Sequence, residues 1–146
     1  MAEVIEPADG ESVAIAYLGP LLAADAGFER VEVVGSLSSS AEGYEPPAEA
    51  VVVRLTGQTS RDLLVDVHQL TFTAWADAPG AELRASDIMR RTVAYIRAAE
   101  RLGSMAGTVC TEVQQFSFYN DPDPVTGRAR YSATLAVSLR GQVVRA

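Results

Sequence analysis

The clearest periodic pattern of the chain lies in its second half. Apolar positions recur there every three or four residues, which places them along one face of an α-helix. These positions are Ala85, Ile88, Met89, Thr92, Ile96 and Ala99. We predict a helix that starts at Pro79-Gly80, runs to about Leu102 and stops at Gly103, because glycine commonly ends helices.

A second helix is predicted near the start of the chain, from Glu11 to about Ala26. Asp9 is its expected N-cap, and Gly27 is its expected C-terminal stop. One face of this helix is apolar and consists of Ala14, Tyr17, Leu18, Leu21 and Leu22. Gly19-Pro20 lies inside the pattern, so the helix should be kinked or divided there.

Five segments have the composition and length of β-strands. They are Val31–Val34, Glu49–Thr56, Leu63–Ala76, Thr108–Tyr119 and Ala129–Leu139, and Gly141–Ala146 is expected to continue the last of them. The sequence GQTSRD is the predicted turn after the second strand. Short turns between consecutive strands imply antiparallel pairing, and two helices can cover one sheet face. We therefore predict a single α+β domain over residues 1–146, mainly antiparallel, in the order α-β-β-β-α-β-β.

Three segments fall outside these elements. Residues 1–8 are predicted to form a loose N-terminal arm, and residues 120–130 a hairpin loop. The polar sequence GSLSSSAEGYEPP, residues 35–47, is rich in turn formers and is predicted to be a flexible loop.

Alternation differs between two of the predicted strands. In the last strand Tyr131, Ala133, Leu135, Val137 and Leu139 point one way, whereas Ser132, Thr134, Ala136, Ser138 and Arg140 point the other. One face is therefore core, and the other faces water or a polar interface. The strand Leu63–Ala76 alternates poorly, because Leu70 and Phe72 share a face with Asp66 and His68. This pattern predicts either a bulge or a second surface buried by a partner.

Charge and composition exclude several classes of function. The formal charge of −7 makes the chain a poor candidate for wrapping nucleic acid, although it suits a passage through which DNA slides. No stretch approaches 18 consecutive apolar residues, so no transmembrane helix is expected. The acidic start, MAEVIEPADGES, lacks the features of a signal peptide, which favours a cytosol-like compartment. Cys110 is the only cysteine, which excludes an internal disulfide and a cysteine metal cluster.

Two pairs of polar residues are candidates for chemistry. Asp121 and Asp123 could ligate a divalent cation, but the calcium-loop pattern is missing and Asp-Pro-Asp-Pro before glycine is ordinary turn chemistry. Asp66 and His68 share a strand face and could form an acid–base pair, but no nucleophile motif accompanies them. The glycine-containing sequence GSMAG precedes a strand and not a helix, so it does not fit a phosphate loop. We predict no catalytic, metal-binding or cofactor-binding residues.

The face of the second predicted helix opposite its apolar stripe is rich in arginine. This face carries Arg84, Asp87, Arg90, Arg91, Arg97 and Arg101. Such a face is either solvated or paired with carboxylates of a neighbouring subunit. The charge pattern alone favours neither alternative.

Three segments, taken in order, are EPPAEAVVVRLTG, then VDVHQLTFTAWAD followed by the helix DIMRRTVAYIRAA, and finally DPDPVTGRARYSATLAVSLRG. In this order they resemble the tail terminator proteins of long-tailed phages of actinobacteria. The resemblance runs from about Val13 to Arg140. It departs from the family at LTGQTSRD, where a glycine pair is expected after the strand.

The resemblance implies one α+β domain that forms a ring of six copies. Such a ring caps the tail tube, stops its growth and joins it to the head connector, without catalysis or a cofactor. The implied partners are other copies of the chain, the tail tube protein and the connector or stopper protein. DNA would pass through the ring without sequence-specific binding. The implied location is the virion, after assembly in the host cytoplasm and without membrane association.

The resemblance also gives the hairpin loop a role at a contact with a neighbouring subunit or ring. The expected interface residues are Asp121, Asp123, Arg128 and Arg130 of the loop, with Arg90, Arg97 and Arg101 of the second helix. Changing Arg128 and Arg130 to alanine is expected to leave the subunit folded and to impair assembly.

Two other classes of protein remain open. The chain is alternatively another head–tail connector or tail tube protein with a similar ring-forming fold, in which case a tube protein would form long polymers. It is otherwise a small enzyme or ligand-binding domain that uses Asp66, His68 and Asp121. A monomer with a closed apolar pocket would favour this last class.

Overall fold

The computed structural model describes residues 2–35, 47–77 and 81–145, and this part of the chain contains two helices and eight strands. The helices are α1 (Gly10–Ala23) and α2 (Glu82–Leu102). The strands are β1 (Val4–Glu6), β2 (Glu32–Val34), β3 (Ala50–Ser60), β4 (Val65–Trp75), β5 (Ser104–Met105), β6 (Thr108–Asn120), β7 (Arg130–Arg140) and β8 (Gln142–Arg145). The predicted flexible loop falls largely on residues 36–46, which lie outside the described residues.

Six strands form one sheet in the order β2-β3-β4-β7-β6-β5. Neighbouring strands run antiparallel except β2 and β3, which are parallel. Both helices pack on the same sheet face, where their side chains join those of β3, β4 and β7 in one core. The predicted class, α+β with a mainly antiparallel sheet in a single domain, is confirmed.

Helix α2 contributes the predicted apolar stripe to this core. Ala85, Ile88, Met89, Thr92, Ile96 and Ala99 are all buried. They pack against a layer of strand residues that includes Phe72 and Leu135. The helix ends at Gly103, whose φ of 71° is left-handed and therefore favours glycine. The predicted start at Pro79-Gly80 lies outside the described residues.

Helix α1 begins as predicted and ends earlier. The Asp9 carboxylate accepts a hydrogen bond from the backbone N–H of Ser12 at 3.1 Å, which is N-cap geometry. The predicted end at Ala26 is wrong, because tight turns follow Ala23 and lead Phe28 into the core. Gly27 has a φ of 92° and lies within these turns, and not at the helix end. The helix runs undivided through Pro20.

Strand β3 is longer than predicted. The sequence GQTS was expected to be a turn, but it continues the strand and pairs with β4 as far as Ser60. A bulge between Leu55 and Gly57 takes up the extra residue, so pairing resumes after it. The turn consists of residues 61–64, where the Asp62 carboxylate accepts hydrogen bonds from two backbone N–H groups at 2.9 Å.

The N-terminal arm is paired, so the prediction of a loose arm is wrong. Strand β1 pairs antiparallel with β8 in a two-stranded ribbon. The C-terminal segment therefore forms its own strand and does not continue β7. Gly141 separates β7 from β8, and a Cβ there would lie only 2.7 Å from the carbonyl oxygen of Glu6. Only glycine allows the two ends of the chain to approach so closely.

The mixed pattern of β4 reflects two different environments. Its pairing with β7 is regular from Val65 to Trp75, and the bulge lies in β3 instead. His68, Leu70 and Phe72 lie on the face that the helices cover, and all three are fully buried. The opposite face is covered by no helix of the described residues, and we call it the open sheet face. The prediction that a partner buries this second surface stays a prediction.

Candidate interaction surfaces

The hairpin loop between β6 and β7 has an internally bonded backbone. The N–H of Asp121 donates to the carbonyl of Arg130 at 2.8 Å, and the N–H of Asp123 donates to the carbonyl of Arg128 at 3.1 Å. The N–H of Gly127 closes the tip by donating to the carbonyl of Asp123 at 2.9 Å. The loop is therefore an ordered projection of the sheet.

Asp123 acts inside this loop as a turn-forming residue. Its carboxylate accepts hydrogen bonds from the Thr126 hydroxyl at 2.5 Å and the Thr126 N–H at 3.3 Å. The hydroxyl is the main cause of a lowered pKa for Asp123, and the backbone N–H groups of Val125 and Thr126 add to it. These contacts are those expected of turn chemistry.

Asp121 is also engaged within the subunit. Its carboxylate lies 3.2 Å from the guanidinium of Arg130 and accepts a hydrogen bond from the Ser132 hydroxyl at 3.0 Å. The Nε of Arg130 donates to the carbonyl of Asp121 at 2.7 Å. Within residues 2–35, 47–77 and 81–145, no three His, Cys, Asp or Glu side chains converge as metal ligands would.

Arg128 is bonded to three backbone carbonyls. Its guanidinium donates to Pro47 at 2.9 Å, to Ala48 at 3.1 Å and to Ala76 at 3.2 Å. The same group lies 5.3 Å from the ring centroid of Trp75, within the range of a cation–π contact. The charge of Arg128 is therefore already used inside the subunit. Whether the loop meets a neighbour stays a prediction, but its most exposed apolar side chain is Val125, at 88%.

Two arginines of α2 also have partners within the subunit. Arg84 forms two hydrogen bonds with Glu49, at 2.5 and 2.9 Å, and the pKa of that carboxyl is lowered mainly by them. Arg91 donates to Asp25 at 2.5 Å. Both guanidinium groups lie over the ring of Phe28, at 4.9 and 4.6 Å from its centroid. These two residues fasten α2 to the turns after α1.

The other arginines of α2 face outward. Arg90 pairs with Asp87, one turn earlier on the same helix. Arg97 and Arg101 are exposed and have no carboxylate partner in the described part of the chain. The three interface residues predicted on α2 are thus all exposed, as is Arg91.

The predicted acid–base candidates do not form an accessible pair. His68 is fully buried beneath Gly10 at the start of α1, and its two ring nitrogens lack hydrogen-bond partners among the described residues. Burial lowers the pKa of His68. The Asp66 carboxylate accepts a hydrogen bond from the Gln58 side chain at 2.8 Å. Cys110 is buried as well, and burial raises the pKa of its thiol to about 11. His68 and Cys110 are thus both shielded from solvent, whereas Asp66 is partly exposed.

Both edges of the six-stranded sheet have long stretches without a neighbouring strand in the described chain. Strand β2 pairs only with Ala50–Val52 of β3. At the opposite edge, β5 pairs only with Thr108 and Val109 of β6. Among residues 2–35, 47–77 and 81–145, no strand therefore pairs with the outer edges of residues 53–60 and 111–120. Open strand edges are templates for pairing with another chain.

A helix glutamate protects one backbone N–H on each open edge. Glu11 of α1 accepts a hydrogen bond from the N–H of Leu55 at 2.9 Å. Glu100 of α2 accepts one from the N–H of Val113 at 2.8 Å. Negative charges at an edge limit uncontrolled pairing. We call residues 56–60, beyond the first of these contacts, the β3 edge, and residues 114–120, beyond the second, the β6 edge.

The β6 edge borders a groove against α2. Two bulges bend β6, and the second lies between Gln115 and Ser117. It leaves Phe116 60% exposed. The groove has a volume of about 470 Å³, and its wall on α2 is Arg97. A smaller hollow of about 260 Å³, between Phe118 and the α2 residues Arg90 and Arg97, adjoins it. We call the two together the α2–β6 groove.

The β6 edge was not among the interface residues predicted from the sequence. A sign of it was present, because Phe118 and Tyr119 are adjacent and so point to opposite faces of a strand. The bulge that exposes Phe116 depends on pairing with β7, which local sequence does not specify.

The ionic groups are unevenly distributed along the chain. The first 49 residues contain ten carboxylates and one arginine, whereas the remaining 97 contain nine carboxylates and eleven arginines. The acidic part includes α1 and β2, which lie at the β3 side of the sheet. The outward arginines of α2 lie toward β6 at the other side. Charges of both signs are nevertheless present at each flank, since Arg54 is exposed on β3 and Glu112 is exposed on β6.

No protein-family model matches the chain, and no curated protein is significantly similar to it in sequence. Neither helix of the described residues is both long enough and apolar enough to cross a membrane.

Proposed function

We propose that the chain is a structural protein of a phage virion, a tail terminator. Six copies form a ring at the head-proximal end of the tail. The ring caps the tail tube, ends its elongation and joins the tail to the head connector. Its partners are other copies of itself, the tail tube protein and the connector or stopper protein.

The observation that carries the proposal is the pair of open strand edges at opposite sides of one sheet. A subunit that has two different unpaired strand edges can associate head to tail with its copies. Such association closes into a ring when the rotation between copies allows it. The β3 edge and the β6 edge differ in sequence and in the helix that contacts them, so the two sides of the sheet are not equivalent. A ring of subunits is the assembly that the resemblance implies.

The charge of the chain fits passage of DNA through such a ring. Six copies at −7 each carry a formal charge of −42. A surface of that sign repels phosphates and does not hold them, so DNA can move past it. The same charge gives no support to sequence-specific binding of DNA.

The hairpin loop is the part of the subunit proposed to meet an adjacent ring. Its backbone is fixed by internal hydrogen bonds, so little conformational entropy is lost when it docks. The tip presents the exposed side chain of Val125, and not the charges of Arg128 and Arg130.

Deletion of the gene from a phage that carries it tests the proposal. We expect tails of irregular length that do not join to filled heads, and we expect supplied wild-type protein to restore infectivity. Joined tails of normal length in the deletion would contradict the proposal. Long polymers of the purified protein would identify it instead as a tube protein.

A further inference from the structure

We infer that the α2–β6 groove is the surface on which the next copy of this chain docks, through the β3 edge of that copy. The inference rests on the proposed function, because it assigns the contact between subunits of the same ring. Its occupant is a second copy of the chain.

Strand direction supports this pairing. β3 and β7 are each antiparallel to β4, and β6 is antiparallel to β7. β3 and β6 therefore run in opposite directions within one sheet. Copies related by rotation about an axis along the strands keep these directions. The β3 edge of one copy then meets the β6 edge of the next as an antiparallel pair, the slightly more stable arrangement.

The two edges also match in length and apolar character. The β3 edge offers five residues and the β6 edge seven, and both stretches begin just beyond a protecting glutamate. Five residues is the usual length of a strand. Leu55 is 40% exposed beside the β3 edge, and Phe116 is 60% exposed on the β6 edge. Pairing of the edges gives both side chains an apolar surface to pack against.

Charge complementarity favours the head-to-tail contact over contact between like edges. The groove contributes Arg97 and also Arg90, which pairs with Asp87 on the same helix, whereas the β3 side contributes Glu11 and the exposed Glu32 of β2 beside the exposed Arg54 of β3. Two grooves facing each other would bring like charges together, which is unfavourable. Opposite potentials steer two different flanks toward one another.

Cysteine cross-linking in assembled tails tests the contact. Thr59 and Gln114 are exposed, and both lie on the open sheet face according to the strand register. A phage lacking the gene is supplied with one of four preparations of the protein. These are the Thr59→Cys variant, the Gln114→Cys variant, a mixture of the two single variants, and the double variant. A short bismaleimide then links neighbouring thiols. Wild-type protein is the matched control, since its Cys110 is buried with a pKa of about 11 and should not react.

We expect the mixture to give cross-linked dimers, the double variant to give a ladder of products up to six copies, and each single variant to give none. Cross-linking within either single variant would mean that like edges meet, which overturns the inference. The inference is also wrong if the mixture gives no cross-link although rings are visible in the tails, but the proposed function then stands. If no ring is visible at the tail end with wild-type protein, the proposed function itself fails.

A charge reversal gives a second test that does not depend on the cysteines. The double change Arg90→Glu and Arg97→Glu should leave the circular dichroism spectrum unchanged and lower the yield of infectious particles at least tenfold. Arg145→Glu is the matched control, because Arg145 is an exposed arginine of β8, outside the groove. A normal yield with the double change would overturn the inference.

Discussion

The guanidinium of Arg128 lies 5.3 Å from the ring centroid of Trp75, and three hydrogen bonds hold it to backbone carbonyls at the ends of other segments. Arg130 lies over the same ring at 4.9 Å. These contacts tie the hairpin loop to the end of β4 and to the residues before β3. The two arginines expected from the sequence to reach a neighbour therefore stabilise their own subunit.

Replacing Arg128 should destabilise the subunit. We expect Arg128→Ala to lower the free energy of unfolding by about 2–3 kcal/mol, because it removes charged hydrogen bonds and a cation–π contact. Urea denaturation of the two proteins measures the difference. Arg97→Ala, which removes an exposed arginine, should change stability by less than about 0.5 kcal/mol. Equal stabilities for the Arg128 variant and the wild type would show that the guanidinium is not structural.

Acidification should weaken the fold through His68. Burial lowers its folded pKa below the ordinary value of 6.5, although Asp66 and Asp9 act in the opposite direction. The unfolded chain therefore binds the proton more readily. Stability is complete above pH 6.5 and falls as the pH drops toward the folded pKa, by at most about 1.4 kcal/mol per pH unit.

The measurement is the free energy of unfolding between pH 7.5 and 5, in the wild type and in His68→Leu. Both proteins contain the same carboxylates. The difference between their slopes of unfolding free energy against pH therefore reports the protonation of the His68 imidazole alone. If the free energy of unfolding changed with pH equally in the two proteins, His68 would not be buried in its neutral form.

Gly10 is required by the proximity of His68. A Cβ at Gly10 would lie 2.6 Å from the Nδ1 of His68. Gly10→Ala should therefore cost about 1–3 kcal/mol of stability through overpacking. Gly19→Ala in the same helix is the control, since its nearest neighbour would be 4.0 Å away and the change should be neutral or stabilising. In a protein that already carries His68→Ala, Gly10→Ala should cause little further loss of stability. An unchanged loss would show that the added methyl group clashes with another residue.

The tip of the hairpin loop should matter for joining and not for folding. Val125 is 88% exposed, so Val125→Asp should change the free energy of unfolding by less than about 0.5 kcal/mol. Under the proposed function, a charge at this apolar tip should reduce the number of infectious particles in complementation of a deleted phage. Val125→Thr keeps the shape and is the control. If the Val125→Asp variant gave as many infectious particles as the wild type, the loop would not be part of the contact.

The sequence was most informative where the pattern is local. The stripe of α2 repeats with helical period from Ala85 to Ala99, about four turns, and Gly103 then ends the helix. The alternation of β7 likewise predicts its core face, where Ala133, Leu135, Val137 and Leu139 are fully buried. The small residues Ser132, Ala136 and Ser138 of its opposite face are buried as well, which the alternation did not predict. Asp9 was identifiable as an N-cap because the capping contact spans only three residues.

The missed features depend on contacts between distant parts of the chain. GQTS is locally a turn sequence, but pairing with β4 and a bulge at Leu55–Gly57 override that preference. β1 is a strand only because β8, more than 130 residues later, pairs with it. Arg128 bonds to carbonyls about 80 residues earlier in the chain, which no local pattern encodes.

The most direct test of the account is electron microscopy of the junction between head and tail in virions that contain this protein. We predict a single closed ring of six copies at the head-proximal end of the tail tube, with neighbouring copies related by rotation. A different copy number at that level, or density for this protein along the whole tube or nowhere at the junction, would contradict it.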